Sequence, residues 1–216
     1  MKTIKIFACM FLLSIASAVN AQFTNSSASG NVASAPVDNK GWSALNISYN
    51  STEIDMDIDD LDNVSGIEFG YTWATPIMEN TPLFLESGLG AIYTFGDLFD
   101  KYNSSISTSI LSVKANVNLG YKFNLKENIA IFPYAGVYLR GNISGTMTFD
   151  MDGDEEEFDL FDEDEGDCDR LQYGLNIGAK CIVNKITLGV AYGFDLNELG
   201  DDINVSTLSF NVGFIF

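Results

Sequence analysis

The chain has 216 residues, with 11 Lys and Arg against 30 Asp and Glu, a net charge of −19 and no histidine. So acidic a surface repels phosphate backbones, which excludes nucleic acid as a partner, and chemistry that needs an imidazole is excluded outright. With 46% apolar and 12% aromatic residues, the chain is no disordered acidic polymer.

The first 21 residues read as an export signal. Lys2 and Lys5 precede an apolar run from Ile6 to Ala18, and Val19-Asn20-Ala21 is a variant of the Ala-x-Ala cleavage triplet. The spacing predicts cleavage after Ala21, and the run is too short to span a bilayer. Cys9 sits inside the run, away from the cut, which argues against a lipid anchor. Residues 22–39 are rich in Ser, Asn and Ala, show neither helical nor strand period, and are expected to be a flexible segment.

Eight strands follow. Trp42 to Tyr49 is the weakest. Ile67, Phe69, Tyr71 and Trp73 oppose Gly66, Glu68, Gly70 and Thr72. Leu83 to Tyr93 sets Glu86, Gly88 and Gly90 on one face, and Leu111 to Phe123 alternates apolar residues with Ser112, Lys114, Asn116, Asn118, Gly120 and Lys122. Ile129 to Arg140 is less regular, because Phe132 and Tyr134 fall on the second face. Leu171 to Val183, Ile186 to Phe194 and Leu208 to Phe216 alternate cleanly. A period of two over such lengths means strands with two unlike faces.

The connections alternate in length. Short ones are expected at Ala74–Thr81, Asn124–Asn128 and Asn184–Lys185, and long ones at Asn50–Asn63, Thr94–Ser107, Gly141–Asp169 and Asp195–Asn204. Cys168 and Cys181 stand at opposite ends of one strand, ~43 Å apart at ~3.3 Å per residue, too far for a disulfide.

The character of the two faces sets the class. One face is nearly unbroken apolar, as lipid contact demands, since a mid-bilayer charge costs ~2–4 kcal/mol. The other is mostly Gly, Asn, Ser and Thr, which suits the crowded interior of a narrow barrel. Aromatic residues gather toward strand ends, at Tyr49, Trp73, Tyr93, Tyr121, Phe123, Phe194 and Phe216, as interfacial girdles do. The expected fold is all-β: an eight-stranded antiparallel up-and-down transmembrane β-barrel over residues 40–216. A secreted soluble β-barrel binding protein, its apolar face turned inward, is the alternative class.

The signal, the eight strands, the alternating loops, Pro133-Tyr134-x-Gly136 and the terminal Leu208-x-Phe210-x-Val212-x-Phe214-x-Phe216 resemble the small outer-membrane barrels. That group includes the outer-membrane protein X, W and A barrels and the opacity proteins. The resemblance implies residence in the outer membrane of a Gram-negative bacterium, among its lipid and lipopolysaccharide. It implies periplasmic termini, and recognition of Phe210, Val212, Phe214 and Phe216 by the barrel-assembly machinery. The four long loops then face outward.

Those loops hold 25 of the 30 acids. Within the third, Asp150, Asp152, Asp154 and Glu156 are the candidate metal ligands, since spaced carboxylates suit Ca2+ or Mg2+. An EF-hand is excluded, because its sixth position is Glu155 where glycine is needed and its twelfth is Phe161 where glutamate is needed. Three readings stand for this loop: weak multi-site cation binding, a solvated acidic surface, and an adhesive patch for a basic extracellular partner. Phe149, Phe158, Leu160 and Phe161 interleave the acids, placed either to anchor such a contact or to cover the barrel mouth.

On the polar face lie Glu68, Glu86, Lys114, Lys122, Arg140 and Lys180. Buried charges must pair, so a plugging ion-pair network is expected; a narrow porin-like conduit for small solutes or ions is the rival. No enzyme is expected, since no His is present to serve as a base beside a nucleophile, and no cofactor is called for.

Overall fold

The computed structural model describes residues 40–55, 62–78, 81–101, 104–126, 128–151, 154–162, 168–200 and 203–216. The export signal and flexible segment expected over residues 1–39 lie outside the described residues, as do Asp57, Asp59, Asp60 and Asp152. Ten strands form one sheet: β1 (Trp42–Asp55), β2 (Val64–Pro76), β3 (Leu83–Lys101), β4 (Ser104–Tyr121), β5 (Phe123–Lys126), β6 (Ile129–Met151), β7 (Asp154–Asp159), β8 (Leu171–Val183), β9 (Ile186–Asp195) and β10 (Asn204–Ile215).

Eight of them close a barrel. Each of the eight is antiparallel to its neighbours; β1 pairs β10 from Ala44↔Ile215 to Asp55↔Asn204, and β4 pairs β6 from Ser104↔Met151 to Gly120↔Tyr134. Closure leaves no edge of the barrel unpaired, the condition for crossing hydrocarbon with strands. The two extra strands extend this frame. β5 carries the line of β4 past Lys122 and pairs the first residues of β6; β7 folds back on the last residues of β6. No helix among the described residues is long and apolar enough to cross a membrane.

The two faces differ as the alternation requires. Leu45, Ile47, Phe69, Leu89, Val113, Leu139, Leu188 and Val212 point outward and are exposed. The residues that alternate with outward ones along each strand, among them Ser48, Asn50, Ser112, Asn118 and Thr187, are buried inside. An exposed, continuous apolar belt of this kind is stable only against lipid. Aromatic rings mark its limits. Tyr71 meets Trp73 and Phe216 in tilted contacts near the end that bears the C-terminus, with ring centroids 5.8 and 6.1 Å apart, and Tyr93 stacks on Phe95 toward the other end at 5.6 Å.

The C-terminal end also carries the short turns. Phe216 N–H donates to Ser43 O, and β8 and β9 are joined by the two residues Asn184 and Lys185. Asn184 has φ 55°, a left-handed position that Asn tolerates well and that a two-residue hairpin needs.

At the opposite end the strands run further than the alternation predicts. The long loop expected over Thr94–Ser107 is a hairpin of paired strand, with β3 continuing to Lys101 and β4 starting at Ser104. Likewise β1 extends to Asp55 and β6 to Met151, shortening the expected first and third loops. The physical reason is that these extensions stand clear of the apolar belt. In Ser104-Ser-Ile-Ser-Thr-Ser-Ile110 one face is all Ser and the other mixes Ser and Thr with Ile106 and Ile110, so no continuous apolar face marks the strand while its backbone still pairs.

Candidate functional site

The lumen is filled in layers from one end to the other. At the C-terminal end Trp42 packs on Phe84 and Phe132, with ring centroids 4.8 and 5.3 Å apart, and Ala74, Ala130 and Ile182 complete an apolar plug. Lys122 joins it as a cation over the Trp42 ring, Nζ 5.3 Å from the centroid, and among the described residues it enters none of the lumen's ion pairs.

Above this plug lies the first ion pair. Lys180 Nζ donates to both carboxylate oxygens of Glu86 at 2.7 Å, and Asn118 Nδ2 donates to Glu86 Oε1 at 3.2 Å. The next layer is Lys114 Nζ on Glu68 Oε2 at 2.7 Å, with Asn50 Nδ2 at 3.5 Å from the same oxygen. The third pairs Arg140 with Asp195. Tyr138 donates its hydroxyl to the other oxygen of Asp195, and Arg140 Nε donates to Gln172 Oε1 at 3.2 Å. Asn142 Nδ2 donates to that same Gln172 oxygen at 2.6 Å, and Ser112 Oγ donates to Asn142 Oδ1 at 2.7 Å. Side chains joined this way restrain one another's geometry, since moving any one of them strands a charged or polar partner.

The far mouth is closed by residues outside the barrel strands. Phe161 and Leu199 pack on Ile110 and Val205, with Leu160 and Ile203 against them. Arg170 holds this cap: its guanidinium lies 5.3 Å from the Phe161 ring centroid and Nη2 donates to Phe161 O at 3.0 Å. Of the aromatic residues interleaved with the acids, Phe161 thus covers the mouth. Phe149 and Phe158 pair with each other on the β6–β7 ribbon, rings 5.6 Å apart and edge to face.

Asp195 is the member that sequence reasoning misses. It counts as an acid of the fourth loop by sequence, yet it ends β9 and turns inward onto Arg140. The signal available was that Arg140 had no acid of its own among Glu68 and Glu86. The large inward residues of β6 are also unassigned by alternation. Their partners are glycines: Tyr134 stands directly between Gly120 and Gly178 in register, and Tyr138 opposite Gly174. The four-residue spacing of Tyr134 and Tyr138 repeats in Gly174 and Gly178, which is the readable trace of this fit.

Of the candidate metal ligands, Asp152 lies outside the described residues, and Asp150, Asp154 and Glu156 fall on the β6–β7 ribbon. The β6–β7 register sets Asp150 opposite Glu155 and Phe149 opposite Glu156. Paired residues share a face, so Asp150 and Glu156 stand on opposite faces of the ribbon. Among the described residues no three His, Cys, Asp or Glu side chains come together as a metal site. Phe210, Val212, Phe214 and Phe216 lie in a row on the outer surface, all more than half exposed. No disulfide joins Cys168 to Cys181.

A closed antiparallel barrel, apolar outside and charged but plugged inside, defines a transmembrane barrel of the outer membrane. The chain belongs to the outer membrane protein beta-barrel domain family, whose pattern matches residues 6–216. That membership places it in the outer membrane of a Gram-negative envelope. Its fold is similar to that of the attachment invasion locus protein Ail of Yersinia pestis, at 19% identity and a TM-score of 0.47, over 82% of this chain and 99% of that one. It is similar also to Neisserial surface protein A, at 12% identity and a TM-score of 0.41, over 82% and 97% of the two chains. The outer membrane enzyme PagL matches at 15% identity and a TM-score of 0.46, over 78% and 97%. No curated protein matches.

Proposed function

We propose that this outer-membrane barrel is a non-conducting, non-enzymatic structural member whose working surface is the acidic end. The observation that carries the reading is the double seal. Among the described residues an apolar cluster stands at each end of the three ion pairs, and we read the two clusters as seals that deny ions a wet path and substrates an open cleft. The bases that exceed acids in a count of the polar face are matched once Asp195 is included, and Lys122 is taken up by Trp42.

The remaining chemistry is at the end away from the C-terminus. We assign that end to the cell exterior and the termini to the periplasm. Glu155, Glu156 and Glu157 project exposed from β7, which pairs β6 on one side only. Such a run draws basic partners by long-range charge. Each exposed ion pair adds about 0.2–1 kcal/mol, so three together are worth about tenfold in affinity. The test uses the barrel in zwitterionic nanodiscs and a fluorescent lysine-rich peptide. Binding is expected to weaken with salt, and to fall about tenfold when Glu155, Glu156 and Glu157 are all changed to Gln. Equal binding by the two proteins removes the acidic ribbon as the working surface.

A further inference from the structure

The aromatic pair on the β6–β7 ribbon belongs to neither apolar cluster of the lumen. Phe158 is 37% exposed. The strand register explains where the rings sit. Phe149 pairs with Glu156 and Met147 pairs with Phe158, so these four residues form a block on one face of the ribbon. The opposite face carries Asp150, Glu155 and Glu157 in place of rings. The two phenyl rings meet across the diagonal of the block, edge to face at 5.6 Å. Of the exposed run Glu155 to Glu157, Glu156 alone therefore stands among apolar side chains. Among the described residues it enters no ion pair.

We propose that Glu156, Phe149 and Phe158 form a docking site for an arginine side chain of an extended basic partner, and that the ribbon prefers arginine to lysine. The inference rests on the acidic end being the working surface and names the group that surface takes. A guanidinium is planar, so it donates two parallel N–H bonds to one carboxylate while its flat face lies against a phenyl ring. It is more weakly hydrated than an ammonium, so covering it with rings costs less. A lysine ammonium meets the same carboxylate as a point charge and, holding its water more tightly, gains less from the rings. The molecule already uses this combination at the same end, where the Arg170 guanidinium lies 5.3 Å from the Phe161 ring centroid. Met147 fills the remaining corner of the block, and its unbranched, polarizable side chain adapts to the stem of an incoming residue. The charge of the whole run draws the partner in; the block on one face selects its side chain.

The test titrates the barrel in zwitterionic nanodiscs with two fluorescent peptides of equal length, one alternating Gly with Arg and the other Gly with Lys. The parent protein is expected to bind the arginine peptide about fivefold more tightly, the size of one exposed cation–π contact. Phe149→Leu combined with Phe158→Leu, and separately Glu156→Gln, are each expected to remove that preference. Glu157→Gln takes the same charge from the opposite face and is expected to keep it, which separates the site from charge alone. The boiling-dependent shift verifies that each variant is folded. Lysine-peptide binding with no preference for arginine in the parent overturns this inference and leaves the acidic surface standing; binding of neither peptide overturns both. A preference that survives the leucine changes or Glu156→Gln, or that Glu157→Gln abolishes as well, also overturns the site.

Discussion

Glu86→Gln is expected to lower the folding free energy of the barrel by about 3 kcal/mol, the low end of the range for stranding one partner of a buried pair. Lys180 is its partner, and both side chains are almost wholly buried. The glutamine amide keeps one acceptor for Lys180 but sets its own NH2 against an ammonium and removes the compensating charge. The low end applies because Lys180 keeps the Tyr134 ring as a partner, its Nζ 5.0 Å from the ring centroid. Combining Glu86→Gln with Lys180→Met removes the stranded charge and is expected to recover most of the loss, since a well-packed neutral replacement of a buried ion pair is often nearly neutral. Equilibrium urea unfolding in lipid vesicles, run as a double-mutant cycle, reads both numbers. A single variant as stable as the parent, or a double variant worse than the sum of the singles, contradicts the ion-pair account of the lumen.

The second large effect is steric. A Cβ on Gly120 would lie 2.1 Å from Phe132 Cζ, well inside contact distance. Phe132 is fully buried, wedged by Trp42 and Phe84, and has nowhere to move. Gly120→Ala is therefore expected to cost about 2–3 kcal/mol by overpacking. Phe132→Leu in the same chain is expected to return at least half of that, because it takes away the ring atoms that collide. Gly141→Ala serves as the control, since its nearest contact would be Val113 Cγ2 at an ordinary 3.7 Å. The midpoint of urea unfolding and the band that shifts on boiling measure all three. If Gly120→Ala and Gly141→Ala behave alike, the aromatic-on-glycine fit carries no weight in the barrel's stability.

The sequence is most legible where lipid imposes the pattern. From Leu208 to Phe216 every second residue is large and apolar, because each outward position of β10 must meet hydrocarbon and each inward one must fit a narrow lumen. Where lipid stops, so does the signal. Ser104 to Ser107 reads as loop by alternation yet pairs fully with β3 and β6, since backbone pairing does not need an apolar face. Inside, Phe132, Tyr134 and Tyr138 look like violations of the pattern and are its complement: Tyr134 and Tyr138 stand opposite glycines of the neighbouring strands, and the Phe132 ring lies over Gly120. Such fits depend on register, which no single strand's sequence reveals. The same is true of Asp195, whose role appears only once β9 places it beside Arg140, and of Asp150 and Glu156, which a linear spacing groups and a hairpin separates. Phe161 and Leu199 belong to connecting segments by sequence and to the cap by structure.

The double seal of the lumen is the claim on which the functional reading stands, and planar-bilayer recording of purified protein tests it most directly, using material whose folding is verified by its boiling-dependent shift. The account predicts a flat baseline at all holding potentials, because the Trp42–Phe84–Phe132 plug and the Phe161–Leu199 cap close both mouths. Discrete, reproducible conductance steps from the folded protein would contradict it and make the lumen a conduit.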